Sequence, residues 1–136
     1  MVSSPDRFDV VVASNLFGDI LTDIGAVIQG GMGMAASANI RPDRSRPGMF
    51  EPVHGSAPDI AGTGRANPVG AVWAGSMMLD HLGERAASSA IMKAVEEVLA
   101  TTEVRTPDLG GTATTSEVGQ ELERVLRAAS ASADRI

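Results

Sequence analysis

Apolar residues recur at three- and four-residue spacing from Asp19 onward, at Ile20, Leu21, Ile24, Val27 and Ile28, and the run stops at Gly30 and Gly31. That period predicts an amphipathic helix with a glycine exit. Upstream, residues 8–14 read FDVVVAS, a short β-branched run preceded by Pro5, which predicts a buried strand. Residues 31–66 are punctuated by Gly, Pro, Ser and Asp and predict loops with short strands. Asn67 and Pro68 then form a helix start, an N-cap followed by Pro at the first helical position, and Gly83 suits the exit of VGAVWAGSMMLDHL. A third helix is expected over residues 84–100, with a turn in TPDLGG, residues 106–111. Thr114 and Glu117 have the spacing of a capping box ahead of a last helix that carries Val118, Leu122, Val125 and Leu126 on one side. Its Ala/Ser-rich end, residues 128–133, is expected to fray.

Composition narrows what these elements can serve. The 136 residues suffice for one core, and 43% of them are hydrophobic, as in an ordinary globular chain. A net charge of −6 offers no basic stripe for a phosphate backbone, so neither nucleic acid nor an anionic membrane surface is an expected partner. No apolar run approaches the roughly 20 residues of a spanning helix, and no signal peptide is visible, so the expected location is cytoplasmic. The absence of Cys agrees, and excludes disulfides, a thiol nucleophile and thiolate metal sites. Lys93 is the single lysine and there is no Tyr.

Inside the first predicted helix, Asp19 and Asp23 put two like charges one turn apart. Unpaired, they repel by a few tenths of a kcal/mol. On one reading Asp19 favours the positive helix N-terminus and Asp23 simply points to water. On the other, the pair holds a hard divalent cation, which takes carboxylate oxygens. Spacing alone leaves both open. The stretch FEPVHGSAPDIAGTGRANP, residues 50–68, poses a similar choice. Its small residues allow close approach to the backbone, His54 offers a flat ring and Asp59 could accept two hydrogen bonds from a ribose diol. Taken singly, His54 is a surface histidine, Asp59 a turn residue and Asn67 an N-cap.

Together, NLFGDILTD at residues 15–23 and the second stretch resemble the β-decarboxylating dehydrogenases, the family of isocitrate, isopropylmalate and tartrate/D-malate dehydrogenases. The resemblance covers nearly the whole chain. VVASNLFGDIL and TPDLGGTATTSEVG look most like the tartrate/D-malate branch, with the isopropylmalate branch as the alternative. The resemblance implies an α/β fold of the isocitrate/isopropylmalate dehydrogenase type, of which this chain holds the C-terminal part. Residues 1–30 would belong to a smaller, dimer-forming domain and residues 31–136 to the larger cofactor-binding domain. By the same resemblance, Asp19 and Asp23 bind Mg²⁺ or Mn²⁺ together with the substrate, and the cation reverses their repulsion. His54, Gly55, Ser56 and Ala57 match the loop that receives the cofactor, Asn67 the adenine contact, and Asp59 with Ile60 the adenosine ribose position. An anion at Asp59 implies NAD over NADP. Glu51 is implied to support the same loop.

The implied reaction is oxidation and decarboxylation of a small 2-hydroxy diacid by a homodimer, with general acid and base duties falling to a Lys and a Tyr and an arginine cluster clamping the substrate. None of these is identifiable in this chain, so the chain alone is expected to be inactive. The alternatives are an isopropylmalate dehydrogenase fragment and a non-catalytic remnant that keeps cofactor binding or assembly. One motif is set aside. GMGMAA, residues 31–36, fits G-x-G-x-x-A with Glu51 at a suitable distance, but it follows a predicted helix where the dinucleotide motif must follow a strand and open a helix. Glu96 and Glu97 read as a solvated helix face, Met77 and Met78 as core filler, and His81 as a C-terminal helix cap.

Overall fold

A computed structural model describes residues 1–133, so positions 134–136 of the second expected domain segment lie outside the described residues. Its α-helices are α1 (Asn15–Ile28), α2 (Val69–Leu82), α3 (Arg85–Thr101) and α4 (Thr115–Ala133). Between α1 and α2, strands β1 (Ala36–Asn39) and β2 (Met49–Pro52) pair antiparallel, with Ala36 opposite Pro52 and Asn39 opposite Met49. The hairpin packs on α2, α2 on α3 and α3 on α4, while α1 rests chiefly on the 3₁₀ turn Met32–Met34. The core sits in the helical part, where Val69, Ala94, Val95, Val98, Val118, Leu122 and Val125 are buried against one another.

Local chemistry explains the helix boundaries. Asn67 Oδ1 accepts the Val69 N–H at 2.9 Å, and Pro68, at φ −83° and ψ −8°, already has helical geometry, so the predicted cap opens α2. Gly83 closes α2 at φ 96°, a left-handed position that costs a glycine little. Before α4, the Thr114 N–H donates to Glu117 Oε2 at 2.7 Å and the Glu117 N–H returns to Thr114 Oγ1 at 3.2 Å, a closed capping box. The Thr114 N–H and then its hydroxyl, both donating to Oε2, hold the Glu117 carboxyl below its ordinary pKa. Ser76, fully buried on α2, donates to the Ser88 carbonyl at 3.0 Å and ties α2 to α3.

Four expectations need correction. Residues 8–14 form no strand: Val10 and Val12 are 82% and 93% exposed, and the sheet among the described residues holds only β1 and β2. A strand exists by its ladder, and this run has no partner to pair with. The first helix begins at Asn15, ahead of the first periodic apolar residue, because nothing in Asn15–Gly18 breaks it and the Gly18 N–H already reaches the Ser14 carbonyl at 2.7 Å. Met78 is exposed rather than core, lining an open surface hollow with Phe50, His81 and Leu82. The tail expected to fray is helical to Ala133, continuing α4 past the ion pairs Arg124–Glu121 and Arg127–Glu123 of the preceding turns. His81 lies in the last turn of α2, where its ring packs on Phe50 at 5.5 Å, and Glu96 and Glu97 are exposed as expected.

Candidate functional site

After β2 the chain is pinned where the Val53 N–H reaches the Ala35 carbonyl at 3.1 Å, and then coils through residues 54–66 in short turns. Two hydrogen bonds close these turns: Ile60 N–H to Ala57 O at 3.0 Å and Thr63 N–H to Ile60 O at 3.1 Å. Ala57 sits at φ 41°, the left-handed region that a side chain enters at a cost, and Gly62 and Gly64 reach φ 74° and 69° without one. The far end of the loop is fixed by Thr115, whose N–H donates to the Gly64 carbonyl at 2.8 Å and whose hydroxyl donates to the Ala66 carbonyl. The coil thereby walls a cavity of about 680 Å³ between itself, the Met32–Met34 turn and the Pro107–Leu109 turn.

His54, Gly55, Ser56, Ala57, Ile60 and Asn67, all expected at a cofactor site, line this one cavity. Asn67 is buried and does two jobs. Its oxygen caps α2, and its amide Nδ2 donates to Asp108 Oδ2 at 2.9 Å, across 41 residues of sequence. His54 Nδ1 lies 3.0 Å from the Gly55 carbonyl, a contact that requires the proton on Nδ1. Asp59 is exposed and is not among the residues lining the cavity. Glu51 is placed elsewhere. On β2 opposite Ser37, it lines a second cavity of about 640 Å³ together with Asp19 and Thr22 of α1 and Gln29 just after it.

Asp108 and Gly33 also belong to the first cavity and had no signal of their own in the sequence. Asp108 read as part of a turn, and only the fold brings it to Asn67. A Cβ on Gly33 would come within 2.7 Å of both Asn67 Cβ and Asp108 Oδ2, so a glycine is needed for that pair to close. GMGMAA indeed follows α1 and leads through a 3₁₀ turn into β1, and so lacks the strand-to-helix setting of a dinucleotide motif.

Asp19 and Asp23 are both exposed on α1, and among the described residues neither side chain makes a hydrogen bond or ion pair. Asp19 faces the second cavity and Asp23 does not line it. No three of His, Asp and Glu gather closely enough among the described residues to enclose an ion. Two free carboxylates one turn apart fit a hard cation as a partial donor set, with water or substrate oxygens completing the shell.

A family model described as "Isocitrate/isopropylmalate dehydrogenase" matches residues 1–122. The chain belongs to this family. Over 126 residues it is 54% identical to a probable tartrate dehydrogenase/decarboxylase of Bacillus subtilis, covering 93% of this chain and 35% of that protein. It is 51% identical to a 3-isopropylmalate dehydrogenase of Mycobacterium avium, covering 93% and 36%. The crystal structure of an isocitrate dehydrogenase from Methylococcus capsulatus superposes with a TM-score of 0.82 at 48% identity, covering 93% of this chain and 37% of that one. The α/β fold of the family is therefore present, and the chain spans about a third of the length of the curated relatives it matches.

Proposed function

We propose that this chain supplies the cofactor pocket and two metal-binding carboxylates of an NAD- and divalent-metal-dependent dehydrogenase that oxidises and decarboxylates a small 2-hydroxy diacid such as tartrate or D-malate. One observation carries the reading: six residues expected at the cofactor site, spread over residues 54–67, line a single cavity large enough for the adenosine part of a dinucleotide. In this reading the backbone of His54–Ala57 approaches the cofactor phosphates, Asn67 and Asp108 present a fixed polar edge to the adenine, and Asp59 accepts hydrogen bonds from the ribose. Asp19 and Asp23 would hold Mg²⁺ or Mn²⁺ as two of its oxygen donors. Bound there, the ion would supply Lewis acidity for the oxidation and for the negative charge that decarboxylation develops. Proton transfer belongs to groups outside this chain, so the chain alone should not reduce NAD.

The same reading takes the working protein as a cytoplasmic homodimer. No helix among the described residues is long and apolar enough to cross a membrane. A 3-isopropylmalate dehydrogenase is the second reading, supported by a relative of that name at 51% identity, nearly the 54% of the tartrate relative. Both share the cofactor pocket. Calorimetric titration of the chain with NAD tests that pocket. NAD should bind, and His54→Ala should weaken it by about tenfold or less, the range of one lost aromatic contact, at unchanged thermal stability. A flat titration of the native chain would remove the reading.

A further inference from the structure

The side-chain amide of Asn67 is held from two directions. Its Oδ1 accepts the Val69 N–H at 2.9 Å, and its Nδ2 donates to Asp108 Oδ2 at 2.9 Å. An N–H only donates and a carboxylate only accepts, so the two contacts together admit one orientation of the amide. The Val69 contact alone would hold it loosely, because the N–H groups of a first helical turn exchange readily with water. Asp108 supplies the second contact from 41 residues away, and among the described residues its carboxylate makes no other hydrogen bond or ion pair. Gly33 leaves room for the approach, since a Cβ there would come within 2.7 Å of Asp108 Oδ2 and 3.2 Å of Asn67 Nδ2. All three residues line the first cavity, and the Asn67 amide keeps one hydrogen and one oxygen lone pair uncommitted. That pair suits adenine, whose amino N–H lies beside a ring-nitrogen acceptor. A 6-oxopurine puts an acceptor oxygen where the amino group would be, and a fixed amide cannot turn over to meet it.

We infer that Asp108 is a positioning residue that locks the Asn67 amide, so that the cavity selects adenine over a 6-oxopurine. This role rests on the cavity's being the adenosine site proposed above. Asp108 acts through Asn67, and Gly33 is what lets the two side chains meet.

Two nucleotides isolate the effect. 5′-AMP and 5′-IMP differ in the 6-amino group against a 6-oxo group with its N1 proton, and each is titrated calorimetrically into the native chain, Asp108→Ala and Asp108→Asn. Native protein should bind 5′-AMP about tenfold or more tightly than 5′-IMP, the range of one hydrogen bond replaced by an unpaired acceptor. Asp108→Ala should cut that preference to about threefold or less, chiefly by weakening 5′-AMP. Its melting temperature without ligand should be nearly native, because Asp108 is exposed. Asp108→Asn, whose amide oxygen still accepts from Asn67 Nδ2, should recover most of the preference. Equal weakening of both nucleotides, or a preference unchanged in Asp108→Ala, overturns the positioning role and leaves the cavity reading standing. Equal affinity of the native chain for the two nucleotides does the same. Absence of binding by both overturns the cavity reading and the role of Asp108 with it.

Discussion

Residues 8–28 and the helices α2 to α4 carry the same kind of signal, apolar residues at regular spacing, and meet different fates. In the helical part, Val69, Val98 and Val118 are 1–2% exposed and close a core with Leu122 and Val125. In the N-terminal part, Val12, Leu16 and Phe17 are 93%, 68% and 62% exposed, and α1 buries only Ala26. The difference is not in hydrophobicity, since α1 is the more amphipathic helix by pattern than α2. It lies in whether a complementary surface falls within reach of the same chain. A two-residue connection, Gly83–Glu84, folds α3 back onto α2, and the longer segment 102–114, with its own 3₁₀ turn, returns α4 onto α3. α1 is followed by Gly30 and Gly31, both at positive φ, and meets little beyond the 3₁₀ turn. A periodic apolar face states that burial is favourable and says nothing about which surface provides it.

The largest expected effect breaks this contrast directly. Leu122→Ala, in the core, should cost about 3 kcal/mol of unfolding free energy, while Leu16→Ala on α1 should stay within about 0.5 kcal/mol. Urea denaturation of both variants measures the difference, and equal losses would mean that α1 is packed as tightly as the core.

A smaller effect tests how the helical part is bounded. Thr114→Ala removes the reciprocal cap of α4 and should destabilise by about 1 kcal/mol. The same box sets a pH dependence. Because the Glu117 carboxyl titrates lower in the folded chain than in the unfolded one, its contribution is present in full near neutrality and is lost as the pH falls through the depressed folded value. Glu117→Gln should therefore flatten the acid limb of stability against pH, read from thermal melts at a series of acidic pH values. An unchanged acid limb would assign it to other carboxylates, such as Asp43 and Glu121, which are also held below their ordinary range.

The smallest effect on stability, on α1, is the most informative about chemistry. Without metal, Asp23→Asn should be neutral or stabilising by a few tenths of a kcal/mol, because it relieves the repulsion with Asp19. With Mn²⁺ present, the same variant should bind the ion more weakly, as followed by the electron paramagnetic resonance of free Mn²⁺. Native Mn²⁺ affinity in Asp23→Asn would return the two aspartates to being a solvated helix face.

Much of the helical part was legible beforehand because its determinants are local. The Asn67 cap, the Gly83 exit and the Thr114–Glu117 box each act within a few residues, and each is found where the spacing put it. The strand expected at residues 8–14 depended on a ladder partner, which no local pattern supplies. The candidate site divides the same way. The six lining residues from His54 to Asn67 lie close together in sequence, whereas Asp108 and Gly33 enter the cavity only through packing.

The sequence by itself determined where α2 begins and ends, where α4 begins, which faces are apolar, and which family's motifs the chain carries, since capping, periodicity and glycine conformations are properties of short segments. Tertiary structure decided which apolar faces became core, that Glu51 stands with Asp19 instead of His54, and that Arg65 stands at the cavity from which Asp59 is absent. Those outcomes depend on how distant segments meet. The physical reason is that burial and charge pairing are set by distances in space, and sequence separation fixes such distances only within a turn or two of the chain.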